Sequence, residues 1–128
     1  MKLCVTSTGK NLDSKVDEHF GRAPYFLIVN TDNMEFEVVE NTARITGRGA
    51  GISAAQMVLD KGAAAVLTGI IGPNAFYALQ VAHVDIYEGL SASETVREAV
   101  ERFKKGKYHE VTEPTGGPGR GKGFRGGW

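Results

Sequence analysis

From about residue 50 onward the hydrophobic period of this 128-residue chain keeps switching between helix and strand, and that alternation constrains the fold more than any other feature. Ile52, Ala55, Val58 and Leu59 recur at helical spacing until Lys61-Gly62 closes the segment. Residues 63–68 follow as a short apolar run of strand type, and Gly69-Ile70-Ile71-Gly72 reads as a turn. Pro73 then stands where a first helical residue tolerates proline, and a helix reaching about Ala82 carries Phe76 and Leu79 inward. Val84-Asp85-Ile86-Tyr87 is the next strand, ended by Gly89. Ser91 and Glu94 have capping-box spacing, after which Val96, Ala99, Val100 and Phe103 make an i, i+3, i+4, i+7 stripe. Lys104, Lys105 and Lys107 suit the negative end of that helix, and Gly106 is placed to cap it.

The first part of the chain follows another rule. Residues 3–7 form a short apolar strand, and residues 25–30 and 35–40 are two β-rich runs separated by Thr31-Asp32-Asn33-Met34, which is hairpin chemistry. Together the two halves predict a single α/β domain: a five-stranded mixed sheet, antiparallel where the hairpin lies and parallel in the second half, with helices on both faces. The domain is expected to span residues 1–110. Residues 111–128 are read as a flexible glycine-rich basic tail, because beyond Pro114 the composition cannot bury enough surface to order itself.

Composition narrows the function. With 41% hydrophobic and 23% charged residues the chain is of ordinary globular type. Fifteen basic and fifteen acidic residues cancel, so no global field draws in nucleic acid or an anionic membrane. Arg120, Lys122 and Arg125 lie in the tail, and three charges there are too few for a nucleic-acid partner. No apolar run approaches the ~20 residues that cross a bilayer, and Met1-Lys2-Leu3-Cys4-Val5 leads straight into a strand without a signal segment, so the expected location is cytoplasmic. The lone Cys4 excludes an internal disulfide and a thiolate cage within one chain. In a strand interior it reads as a small core residue before it reads as a ligand.

Four stretches carry chemistry. Val16-Asp17-Glu18-His19-Phe20-Gly21-Arg22-Ala23-Pro24 precedes the second strand, and a turn there requires a glycine but no histidine. An exposed imidazole at His19 is a good metal ligand, Asp17 can orient its second nitrogen, Gly21 gives a bulky ligand room, and Arg22 can pair with an anionic group. The bland alternative is a solvated histidine beside a weak Asp17–Arg22 ion pair. Gly47-Arg48-Gly49-Ala50-Gly51 ahead of a helix suits an anion, yet Ile52 stands where a dinucleotide fingerprint needs its third glycine, so a flexible loop explains it equally well. Gly69-Ile70-Ile71-Gly72 is explained by a tight turn, and exposed isoleucines there would add an apolar wall. His83 and His109 read as surface residues. No nucleophile elbow or P-loop is present, and Asp13, Asp17 and Glu18 share one loop where a two-metal site needs carboxylates from several strands, so an enzyme is not expected.

Asp17-Glu18-His19-Phe20-Gly21-Arg22-Ala23, Gly49-Ala50-Gly51-Ile52, the run from Leu67-Thr68-Gly69 to Pro73-Asn74-Ala75, and Thr95-Val96-Arg97-Glu98-Ala99-Val100 occur in an order that resembles the dinitrogenase iron-molybdenum cofactor biosynthesis family. The resemblance covers about residues 1–110. It implies a ribonuclease H-like fold and a non-catalytic carrier or scaffold for iron-molybdenum cofactor or an iron–sulfur cluster precursor. His19 is the implied ligand, and Asp17, Gly21, Arg22, Gly49, Gly51, Gly69 and Gly72 are the implied surroundings. Implied partners are the metal cofactor and cofactor-assembly or acceptor proteins, for a monomer or weak homodimer. His83 stands where relatives often have glycine, and the arginine- and glycine-rich tail replaces histidine or acidic tails of some relatives. The chain is similar to the small stand-alone members of that family. A binding module for a nucleotide or other small anion is the alternative, and a hydrolase-like remnant of the ribonuclease H fold is a third.

Overall fold

The structure, a computed structural model, describes residues 1–45 and 50–114. Strand β1 (Lys2–Ser7) lies inside the sheet and decides its geometry, because its two neighbours run in opposite senses. On one side it pairs antiparallel with β2 (Tyr25–Asn30), which pairs antiparallel with β3 (Phe36–Glu40). On the other it pairs parallel with β4 (Ala65–Leu67), which pairs parallel with β5 (Asp85–Glu88). A two-residue strand β6 (His109–Glu110) closes that edge antiparallel to β5, giving the order β3-β2-β1-β4-β5-β6. The expected five strands are therefore six. A two-residue strand has no period to detect, and its pairing depends on the turn through Gly106.

Helices cover both faces, as the sequence implied. In β1 the pleat sends Leu3 and Val5 to one face and Cys4 to the other. Leu3, Val5, Leu27, Val29, Ala65 and Leu67 pack with Val96, Ala99 and Val100 of helix α3 (Val96–Lys104). Cys4, Phe26, Ile28, Val66 and Ile86 pack with residues of α1 (Ala50–Asp60) and α2 (Pro73–Val81), among them Ala55, Val58, Phe76 and Leu79. Burying side chains of this size stabilises the fold by roughly 1.5–3 kcal/mol each relative to exposure. The stripe of α1 differs from expectation. Ala54, Ala55 and Val58 face inward, and Ile52 remains 52% exposed. Small residues form the α1–α2 contact: a Cβ added to Gly51 would lie 3.4 Å from that of Ala75, at ordinary contact distance.

The hairpin between β2 and β3 has local support. Asn30 Oδ1 accepts the Asp32 N–H at 2.9 Å, Asn33 Oδ1 accepts the Glu35 N–H at 2.9 Å, and Met34 takes a positive φ of 65°. Helix α3 begins with a capping box one step later than the first candidate. Thr95 Oγ1 accepts the Glu98 N–H at 3.1 Å and the Glu98 carboxylate accepts the Thr95 N–H at 2.9 Å. Ser91 and Glu94 have the same spacing, but Glu94 is buried, where it accepts the Tyr108 hydroxyl and faces Arg102 at 3.7 Å. Thr95 wins because it directly precedes the first buried apolar residue of the helix. Among the described residues no helix is long and apolar enough to cross a membrane.

Candidate functional site

Residues 8–23 leave the carboxyl end of β1, and residues 68–72 leave that of the adjacent parallel strand β4, so the two connections share one sheet edge. In open α/β sheets this is where ligands collect. Buried Thr6 and Thr68 stitch the edge together: their hydroxyls lie 3.2 Å apart, and Thr6 also donates to the Asp17 carbonyl. The Glu18 carbonyl accepts the N–H groups of Gly69 at 3.0 Å and Ile70 at 2.6 Å, while the Phe20 N–H donates to Ile70 at 2.9 Å. His19 thus pairs with Ile70 as a short parallel bridge.

This segment is less polar than its composition suggests. Leu12 and Val16 are buried on the α3 face, whereas Phe20 and Ala23 are buried on the opposite face. Phe20 stacks on Phe26 with ring centroids 5.1 Å apart. The segment is also fastened to the connection ahead of α3. The Ala92 N–H donates to the Glu18 carboxylate, the Val16 N–H to the Glu94 carbonyl, and the Val96 and Arg97 N–H groups to the Ser14 and Leu12 carbonyls. Asn41, just past β3, closes the far end: its amide donates to the carbonyls of Ala23 at 2.8 Å and Gly21 at 3.1 Å.

On this frame His19 is the projecting group, with its side chain 47% exposed. Asp17 holds the loop backbone, its Oδ1 accepting the His19 N–H at 2.9 Å. The same oxygen lies 3.6 Å from His19 Nδ1, too long for a hydrogen bond. Arg22 is exposed and, among the described residues, forms no ion pair with Asp17. Added Cβ atoms at Gly21 and Gly72 would meet open space, whereas one at Gly69 would strike Glu18 and one at Gly51 would touch Ala75. Gly47, Arg48 and Gly49 lie outside the described residues, as do residues 115–128 of the tail. Of the two isoleucines, Ile70 is 39% exposed and Ile71 is buried.

Gly72 starts α2 without a side-chain cap, so the first N–H groups of that helix take no bond from it. The three carboxylates of the loop diverge: Asp13 pairs with Arg97 at 3.1 Å, Asp17 serves the loop backbone, and Glu18 reaches Ala92. Among the described residues no group of three His, Cys, Asp or Glu side chains can hold a metal ion. Cys4 is sealed in the core, and burial pushes its thiol pKa well up. His83 and His109 are exposed. His83 helps to line a cavity of about 280 Å³ between α2 and the β5–β6 edge, to which the His19 segment contributes no residue. Sequence reasoning gave Thr6, Asn41 and Thr68 no role of their own and weighed Glu18 only as a carboxylate for a metal site. Threonine at the ends of two adjacent strands was the available signal for two of them.

The site therefore offers one imidazole on a rigid loop, clear space at two glycines and an uncapped helix start, which is the outline of a small α/β binding protein. Residues 1–106 match the family described as dinitrogenase iron-molybdenum cofactor, and the chain belongs to it. An uncharacterized protein of Methanocaldococcus jannaschii is 32% identical over 101 residues, 77% of this chain and 84% of the relative. The apo form of the orange protein from Desulfovibrio gigas matches with a TM-score of 0.85 at 40% identity, covering 90% of this chain and 96% of that one. A Thermotoga protein described as a candidate NifB protein of the DUF35 family matches with a TM-score of 0.78 at 36% identity, covering 90% and 97%.

Proposed function

We propose that this protein is a non-catalytic carrier or scaffold that holds an iron-molybdenum or iron–sulfur type cofactor as cargo at the loop edge of its sheet. The observation that carries the reading is the exposed His19 imidazole on a loop bolted to both of its flanks, in a chain of the iron-molybdenum cofactor family. His19 supplies the metal ligand, Asp17 holds the loop backbone beside it, and Arg22 offers positive charge to an anionic cluster. Gly21 and Gly72 leave room for a group larger than an ion, and the start of α2 presents N–H groups to its anionic edge. The donor set fits loose, reversible holding, since permanent clusters are gripped by several thiolates. That one structural relative is described as an apo form and another as a candidate NifB protein supports the same reading.

Within this reading the cofactor-holding domain spans residues 1–110 of a cytoplasmic protein on a ribonuclease H-like sheet, residues 111–128 are an appendage, and the other partners are proteins that assemble or accept the cofactor. The uncapped start of α2 favours, as second reading, a module for a nucleotide or small anion. One anaerobic experiment separates the two. Wild type and His19→Ala are incubated with isolated iron-molybdenum cofactor, or with an iron–sulfur cluster assembled from ferrous iron and sulfide, then desalted and assayed for metal and absorbance. The carrier reading expects metal on wild type and its loss from the variant. Metal on neither, with a higher Tm in the presence of nucleotide, selects the second reading.

A further inference from the structure

The cavity between α2 and the β5–β6 edge has a lining of two kinds: Phe76, Val84 and Ile86 are buried and apolar, while Asp85 and Glu110 are exposed carboxylates. At about 280 Å³ it falls just below the ~300–1,000 Å³ of small-molecule sites, which suits one large side chain. Neither carboxylate forms an ion pair among the described residues. Burial lifts the pKa of the neighbouring Tyr87 hydroxyl, and Glu110 and then Asp85 push it further the same way, as uncompensated negative charge does. Thr112 also lines the cavity, and Pro114, two residues on, is buried, so residues 115–128 leave the domain beside it.

We propose that the occupant is the chain's own tail: residues 115–128 fold back on this cavity, with the Trp128 indole inside it and Arg120, Lys122 and Arg125 facing Asp85 and Glu110. The charges are complementary. All fifteen acidic residues precede position 115, whereas three of the fifteen basic ones follow it, so a tail of +3 meets a remainder of −3. Trp128 suits the lining better than Phe124, because an indole joins a large apolar body to an N–H that needs an acceptor, and the carboxylates supply one. A glycine-rich chain of this length spans roughly 20 Å, and a tether that starts beside its site gives an effective concentration on the order of millimolar. A composition too poor to build a core of its own is no obstacle, since the domain provides the apolar surface. No residue of the His19 segment lines the cavity, so the inference does not depend on the carrier reading.

Trp128 is the chain's single tryptophan, so its fluorescence reads the docking directly in the full chain. The expected emission lies to the blue of that of the urea-unfolded chain, with acrylamide quenching at least about twofold weaker and both signals independent of protein concentration. Arg120→Glu, Lys122→Glu and Arg125→Glu together change only the tail, and should return emission and quenching most of the way to the unfolded values. Asp85→Lys with Glu110→Lys should do the same, and the two sets combined should restore the native signal. Emission equal to that of the unfolded chain overturns the proposal, as does a blue shift that neither charge reversal alters. A blue shift that grows with protein concentration overturns it too, by placing the tail on a second copy.

Discussion

Glu18 and Gly69 approach so closely that a Cβ at position 69 would lie 2.8 Å from the Glu18 carbonyl oxygen, the atom that accepts the Gly69 N–H. The glycine is there because two backbones meet. Gly69→Ala is expected to cost about 1–3 kcal/mol through overpacking, and to weaken cofactor retention by shifting His19. Gly72→Ala meets open space at a φ of −77°, so its unfolding free energy in a urea titration should stay within about 0.5 kcal/mol of wild type. Equal losses from both substitutions would refute the backbone-contact argument.

Asn41 is fully buried and holds the carbonyls of Gly21 and Ala23 through one amide, while its own Oδ1 has no hydrogen-bond partner among the described residues. Asn41→Ala should destabilise by about 1–3 kcal/mol, because acceptors that had a protein donor lose it. Asn41→Asp should be worse, placing a buried carboxylate against two carbonyl oxygens. Hydrogen exchange should quicken at residues 21–23 in the alanine variant before it quickens in β1.

His83 adopts a φ of 65° just beyond α2. Left-handed backbone just after a helix favours glycine over a residue with a side chain. His83→Gly is expected to stabilise by a few tenths to about 1 kcal/mol, relief of strain outweighing the added freedom of the unfolded chain. A raised urea midpoint with an unchanged m-value would show it.

The Thr95 cap gives a pH-dependent signature. Its backbone N–H, donated to the Glu98 carboxylate, is the main reason that group sits below its ordinary pKa. A depressed folded pKa contributes stability above the unfolded value of about 4.3 and loses it as pH falls through the folded value. Glu98→Ala, which removes the carboxylate that accepts this N–H, should therefore destabilise at neutral pH, and its gap to wild type should narrow below about pH 4, where the wild-type group becomes protonated.

Cys4 is fully buried, and desolvation raises its thiol pKa. A thiol reagent at pH 8 should therefore label the native protein only as fast as it unfolds, and at once in denaturant. Rapid native labelling would show that β1 opens locally.

Period and turn chemistry made most of the sheet legible. The Asp32-Asn33 turn, Pro73 at the start of α2 and the α3 stripe are local signals, and each matched its element. What escaped was non-local. The spacing of Ser91–Glu94 repeats in Thr95–Glu98, and burial decides between them: Glu94 is engaged by Tyr108, and the buried Val96 follows Thr95 directly. Ile52 fits a helical stripe, but the face of α1 that is buried carries Ala54, Ala55 and Val58 and leaves Ile52 exposed. His19 could be singled out from its residue type, whereas the groups that hold its loop, Thr6, Thr68, Glu18 and Asn41, are ordinary polar residues until the fold brings them together.

The loop that carries His19 has hydrophobic anchors in both cores and hydrogen bonds on both flanks. Such a platform is built before any ligand arrives, so loading forfeits little chain entropy and no latch has to close. By the same logic unloading has no internal trigger. On the carrier reading proposed above, the residence time of a cargo at His19 would be set by the bond itself and by competition from an acceptor, and the timing of delivery would lie with the recipient.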